Sequence, residues 1–544
     1  MNEQDLMILA NMVLDKAVNS PDLDVLTFVN VEKDGELSQD VRTCKALWEN
    51  GCRMATALES EGMGTGDRFG LLMQNHPEFV EAMVASSIEG TELVPIDPRT
   101  RGEKLTYMLA FAECKGVIVA DYALAQLLEV LDDLPLLEWI WVMETDLWLN
   151  PVITSQRQRL VGDILDQDYH TRQVKVNDVD STMQLLYTSG TTGMPKAILA
   201  PYARFGSIAS LGPVIGLRED DRPYTGLSLT HANAQLITLG NILRMGLRGV
   251  ISRKFTKSRL WDITRRYGCT TFNLLGGMTT AIFAEPEKPD DAVNPVRYVF
   301  SAGMPEAIWN DFAERFGVDI YEFYGAAEGG LTLNPPHAGP AGSIGKAPPS
   351  MICTIRSDHD DECEPGVAGE ICFRNADGSA PPIDYYKNPE ASKKKSAGGW
   401  LRMGDVGHMD AEGWIFFHYR KGGGIRRYGD FINPAFVEKA IAENDAVSDV
   451  FVYGVPMKNG SPGEKDVVAA IIPEDFANFD PAALFADCRV RLEKNFVPTY
   501  LQILEEIPKT ASEKPQERIC LELFEQQPDR IFTETQTPSQ AGGQ

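Results

Sequence analysis

A short apolar run, Met183–Tyr187, leads directly into Thr188-Ser189-Gly190-Thr191-Thr192-Gly193-Met194-Pro195-Lys196. Glycines let backbone N–H groups approach an anion closely, hydroxyls add donors, and a lysine adds charge. That composition suits a triphosphate. The spacing departs from G-x-x-x-x-G-K-[ST], because Pro195 stands where the second glycine belongs. On composition alone, a flexible Ser/Thr/Gly turn is the open alternative. A second Gly-rich stretch, RKGGGIRRYGD from Arg420, joins three glycines to basic residues and has the makeup of a joint.

Such a loop needs a strand to carry it and a rigid sheet around it. From about Arg68 short apolar runs (RFGLLM, TELVPIDP, KGVIVAD, EWIWVME, then MQLLYT, RGVISRKF, TTFNLL, VRYVFSAG) alternate with helical patterns such as PEFVEAMVASSIEG and PEAIWNDFAERFG. This alternation predicts parallel sheets covered by helices on both faces. Two blocks, near 40–180 and 181–330, suggest two sheet layers in one body. Strands ICTIRS and GEICFRN suggest a smaller β region after them. Beyond Arg420 the pattern is α+β: Pro434 opens a helix, VSDVFVYGVP and KDVVAAIIPE are strands, and PAALFADCRVRLEKNF is a helix. The expected fold is α/β, with a large N-terminal body (1–420) of layered, mostly parallel sheets plus a small β region. A hinge joins it to a small α+β C-terminal domain (421–524), and the polar end (525–544) reads as a disordered tail.

The 544 residues are 43 % apolar and 24 % charged, ample for a folded core. Against 51 Lys+Arg stand 78 Asp+Glu, a net charge of −27. That balance argues against a nucleic-acid binder and against docking on an anionic membrane. Nine scattered cysteines show no C-x-x-C and no zinc spacing, as in a reducing compartment. With no secretory signal pattern at the start, the reading is cytoplasmic.

TSGTTGMPK resembles the phosphate loop of the acyl-adenylate-forming enzymes, the superfamily of acyl-CoA synthetases, firefly-type luciferases and peptide-synthetase adenylation domains. VPIDPRTRGEKL (Val94–Leu105) is similar to a family segment upstream. In family order follow FYGAAEGG (Phe323–Gly330), AGSIGKA (Ala341–Ala347), WLRMGDVGHMDAEGW (Trp400–Trp414), YRKGGGIRRYGDFINPAFVE (Tyr419–Glu438) and IPKTASEKPQ (Ile507–Gln516). The resemblance spans about residues 40 to 520. It implies ATP, Mg²⁺ and, as co-substrate, CoA. Lys196 and Thr188 to Gly193 would hold the β/γ-phosphates, and Glu328 the Mg²⁺. Tyr324 would stack on adenine, with Glu322 and the Gly303-Met304-Pro305 wall beside it. Asp405 and Arg420 would meet the ribose, Lys514 would be the catalytic lysine, and His231 would gate the acyl pocket.

Three positions depart from the pattern. Ala327 replaces the usual Thr before the metal-binding glutamate, Gly422 replaces Asp or Lys at the pivot, and Glu513 replaces the Gly before Lys514. Gly429 matches the glycine of the pantetheine tunnel, and Arg426 and Arg427 could meet CoA phosphates or be solvated strand charges. The thirty residues after Lys514 are too few for a carrier domain, so an acid–CoA ligase leads. THANAQ resembles the pocket segment of carnitine- and crotonobetaine-type CoA ligases, with His231, Asn233 and Gln235 in the pocket. A short or polar carboxylic acid is therefore expected. Aryl acids, and loading of a separate carrier protein, stay open, as does a homodimer.

Overall fold

The computed structural model describes residues 2–145, 158–188, 194–421, 425–427, 430–432, 434–457, 465–492, 494–510 and 513–533. Val-, Ile-, Leu- and Phe-rich runs become strands buried on both faces, as parallel sheets under helices require. The first sheet runs in the spatial order Gln158–Leu160, Trp139–Met143, Cys114–Ala120, Arg68–Leu72, Glu92–Ile96, Thr182–Thr188, Lys196–Pro201. Only its last strand is antiparallel. The second runs Gly329–Asn334, Asp319–Ala326, Tyr298–Ala302, Thr271–Leu275, Pro223–Thr225, Gly249–Ser252, Asp24–Val31, Leu37–Thr43, with six parallel strands between two antiparallel edges.

The two sheets do not divide the chain into the blocks 40–180 and 181–330 that the alternation suggests. Strands Thr182–Thr188 and Lys196–Pro201 complete the first sheet, whereas Asp24–Val31 and Leu37–Thr43 extend the second. The layers share one core, so neither could be closed by its own block. Helix Pro77–Glu89 is buried along almost its whole length. A helix covered on all sides belongs between layers. One apolar cluster runs through both, from Leu9 to Phe323.

The segment expected to bind phosphate follows the C-terminal end of Thr182–Thr188, and Thr225, Leu275, Ala302 and Ala326 end strands of the second sheet. Ligands of open α/β sheets bind along this rim. An antiparallel five-stranded sheet (Ser343–Gly345, Ile415–Arg420, Leu401–Met409, Gly369–Asn375, Met351–Arg356) closes the body. After Lys421 a separate apolar core begins, built on strands Val447–Pro456, Lys465–Pro473, Tyr500–Ile503 and Ile531–Thr533. All nine cysteines are free thiols. Among the described residues no helix is long and apolar enough to cross a membrane.

The tail expected to be disordered from 525 is ordered as far as Thr533. Helix Glu517–Gln526 runs on into it, and Ile531–Thr533 pairs antiparallel with Tyr500–Ile503. The cause is one apolar pair in a polar segment: Phe532 packs on the small domain's core. A chain ending at 524 should therefore lose about 1–3 kcal/mol of small-domain stability, the worth of a buried large side chain. One ending at 533 should lose none. Denaturant titration of both truncations checks this.

Candidate active site

Thr188 and Lys196 face each other across the mouth of the phosphate loop, as paired residues of an antiparallel ladder. Ser189, Gly190, Thr191, Thr192 and Gly193 lie outside the described residues. The Lys196 ammonium sits 5.3 Å from the centre of the Tyr385 ring. Tyr385 in turn donates its hydroxyl proton to Glu328 Oε1 at 3.0 Å. Glu328 is buried at the hairpin turn between Asp319–Ala326 and Gly329–Asn334. No cluster of three or more His, Cys, Asp or Glu among the described residues could hold a metal. Mg²⁺ does not need one, because it takes one or two carboxylates and fills its octahedron with phosphate oxygens and water. A carboxylate with one oxygen braced by a tyrosine fits that ion.

The nucleoside residues converge nearby. Tyr324 donates to Asp405, and its ring stacks on Phe373. Asp405 and Arg420 are cross-strand partners, 3.8 Å apart as an ion pair. Glu322, fully buried, accepts hydrogen bonds from the backbone N–H of Gly303 and Met304. Burial pushes its carboxyl up to about 8 against those two bonds. It ties strand Asp319–Ala326 to the Gly303-Met304-Pro305 segment, with Pro305 at the start of the next helix. Gly303 takes φ +105°, where a side chain would be strained, and a side chain at Gly276 would run into the Gly303 carbonyl oxygen.

Lys514 reaches this cleft from the small domain. Its side chain keeps contact with water at the cleft mouth, yet protein packs densely around it. Lost solvation lowers its pKa most, Arg420 lowers it further, and Asp405 and Glu328 oppose the shift. His231 is held neutral, pushed down to about 3 by burial with a further contribution from Lys514. Its Nδ1 accepts from the Asn233 backbone N–H at 3.2 Å, which leaves Nε2 as the donor. Lys395, which sequence reasoning missed, also lies here. It donates to the Met403 carbonyl at 3.1 Å, and its pKa is lowered by burial while Glu328 and Asp405 counteract. Nothing in the run Lys393–Lys395 distinguishes it from a solvated charge, and Tyr385 was equally silent.

On the acyl side, Asn233 Oδ1 accepts from Asn273 Nδ2 at 2.8 Å, and Thr238 donates to Asn273 Oδ1 at 2.9 Å. Gln235 is fully buried, with its amide committed to Gln184 and the Leu229 carbonyl, so it braces the pocket from behind. Asn273 gave no sequence signal because it reads as one polar residue in a strand. Of the residues expected at CoA, Gly422 and Gly429 lie outside the described residues, and of Arg426 only the backbone is described. Arg427 is committed to the Asn495 and Val497 carbonyls, which favours its reading as a structural charge.

The AMP-binding enzyme family matches residues 15–379, and its C-terminal domain matches 437–514. The chain belongs to the AMP-binding enzyme family. It is similar to a medium/long-chain-fatty-acid–CoA ligase of Mycobacterium marinum, 29 % identical over 82 % of this chain and 84 % of the relative. The crotonobetaine/carnitine–CoA ligase of Salmonella heidelberg is 27 % identical, over 85 % and 89 % of the two chains. Among solved structures, an anthranilate CoA ligase in complex with anthranoyl-AMP shares the fold, with TM-score 0.78 and 22 % identity over 97 % of this chain and all of that one. This family member is an enzyme, and its fold is that of the adenylate-forming enzymes.

Glu513 takes φ +58°, the left-handed conformation that glycine adopts freely. Its N–H bonds the Thr510 carbonyl, and the Thr510 N–H bonds the Lys514 carbonyl at 2.8 Å. A side chain there costs about 1–2 kcal/mol. Glycine's extra freedom in the unfolded chain offsets part of that. Glu513→Gly should therefore stabilise the small domain by up to about 1 kcal/mol. A lower denaturant midpoint in the variant would count against this account.

Proposed function

We propose that this enzyme is an AMP-forming acid–CoA ligase that activates a short or polar carboxylic acid as its acyl-adenylate and passes the acyl group to CoA. The observation that carries the reading is Lys514 in one cleft with Glu328, Asp405, Arg420 and His231. In that arrangement a mobile-domain ammonium meets the place where an α-phosphate would carry developing charge. Relatives named as CoA ligases support CoA as acceptor. Nine free thiols suit a reducing cytoplasm.

ATP enters with its β/γ-phosphates at the loop ending in Lys196 and its ribose between Asp405 and Arg420. Bound at Glu328, Mg²⁺ would offset phosphate charge. The acid's carboxylate attacks the α-phosphorus and pyrophosphate leaves. Lys514 supports both the carboxylate and the α-phosphoryl oxygens as charge shifts between them. Neutral His231 lines the acyl entrance as a hydrogen-bond donor. With its pKa near 3 it is too weak a base to deprotonate a thiol at neutral pH. Rotation of the small domain, expected from the sequence to turn at Gly422, would then let CoA displace AMP.

The amides of Asn233 and Asn273 in the pocket support the polar-acid reading. An aryl acid is the second reading, favoured by the likeness to the anthranilate CoA ligase. ATP–pyrophosphate exchange across short, hydroxylated, betaine-like, aryl and long-chain acids decides between them. Thioester assays with free CoA and with a holo carrier protein decide the acceptor, and acylation of the carrier alone would refute the CoA step. Asn233→Leu should shift preference at least tenfold from polar towards apolar acids in kcat/KM.

Lys514→Ala should reduce adenylation by about 10²–10³, as loss of a comparable oxyanion donor does. Thioester formation from supplied adenylate should be spared. Because the Lys514 pKa is lowered from 10.5, the ammonium is lost, and adenylation falls, at a pH below that of free lysine. The alkaline limb of kcat/KM for ATP should lie there, and Lys514→Arg should move it upward.

A further inference from the structure

Arg204, third residue of the helix Tyr202–Ala209, belongs to none of the motifs above. It is half-buried, and among the described residues it has no carboxylate at ion-pairing distance. Its two terminal nitrogens instead donate to consecutive backbone carbonyls, those of Ala327 and, at 3.0 Å, Glu328. A planar fork with fixed donors suits two neighbouring acceptors better than the single rotating ammonium of a lysine. Burial lowers the guanidinium's pKa, with the nearby Glu328 charge opposing.

The turn it grips closes the hairpin at the Ala326–Gly329 pair. Ala327 offers no hydroxyl, and Gly329 and Gly330, at φ +127° and +73°, widen the backbone's range. The strand register shifts between Gly325 and Ala326, one residue before the turn. Two anchors act on Glu328 from different elements: Arg204 on its carbonyl and Tyr385 on its carboxylate.

We infer that Arg204 is a positioning residue for the metal site, pinning the Ala327–Glu328 turn so that the Glu328 carboxylate is presented to Mg²⁺·ATP. This rests on the reading of Glu328 as the Mg²⁺ residue. It assigns to a cation outside the motifs the task of holding a turn that lacks a side-chain anchor of its own.

Calorimetric ATP binding to the full chain, with Mg²⁺ and with chelator, tests it without any acid substrate. In the unaltered protein Mg²⁺ should tighten ATP binding. Arg204→Gln should lose at least tenfold of that Mg²⁺-dependent gain while metal-free ATP affinity stays within twofold. Arg204→Lys, which keeps the charge but not the fork, should lose at least threefold and carries the test if the glutamine variant does not fold. A Mg²⁺ gain retained within twofold in the folded variants overturns the role of Arg204 alone. No Mg²⁺ gain in the unaltered protein overturns the reading of Glu328, and this inference with it.

Discussion

Loss of solvation is the constraint on the cations of the cleft. Lys395 and Lys514 both lie near Arg420, with Glu328 and Asp405 opposing the loss of their charge. Arg204, Lys395 and Lys514 all have lowered pKa values, with lost solvation the largest cause each time. On the proposed reading, a triphosphate would supply negative charge there and ease the approach of Lys514, which would link domain closure to nucleotide binding. The net charge of −27 hides this, since the acidic groups lie elsewhere.

Much of the frame was legible because its signal is local. Each apolar run from Arg68 to Ala302 became a strand within a residue or two of its limits, since burial on both faces leaves few other fates for Val- and Ile-rich segments. The assignment of strands to sheets was not legible. Asp24–Val31 pairs in parallel with Gly249–Ser252, more than two hundred residues on, and no local pattern encodes such a pairing. Phe532 fails for a related reason: two apolar residues in a polar tail acquire meaning only beside a core.

At the site, the residues the family motifs single out were readable and their braces were not. Glu328, Asp405 and Lys514 sit in recognisable strings, whereas Tyr385, Lys395, Asn273 and Arg204 work through one or two hydrogen bonds set by tertiary structure. Glu513 lies between the cases. Its side chain broke the pattern, but its backbone kept the dihedral angle that the loop requires.

The Gln184–Gln235 bond has a bearing on how the pocket can be remodelled. Gln184 lies on the strand that delivers the phosphate loop, and Gln235 on the helical segment that carries Asn233. The two amides tie that strand to that helical segment. On the proposed reading, changes at Asn233 would address the acid, whereas changes at Gln235 would also disturb the strand behind the phosphate loop. On that reading, remodelling towards a new acid has to work at Asn233 and leave the Gln184–Gln235 bond in place.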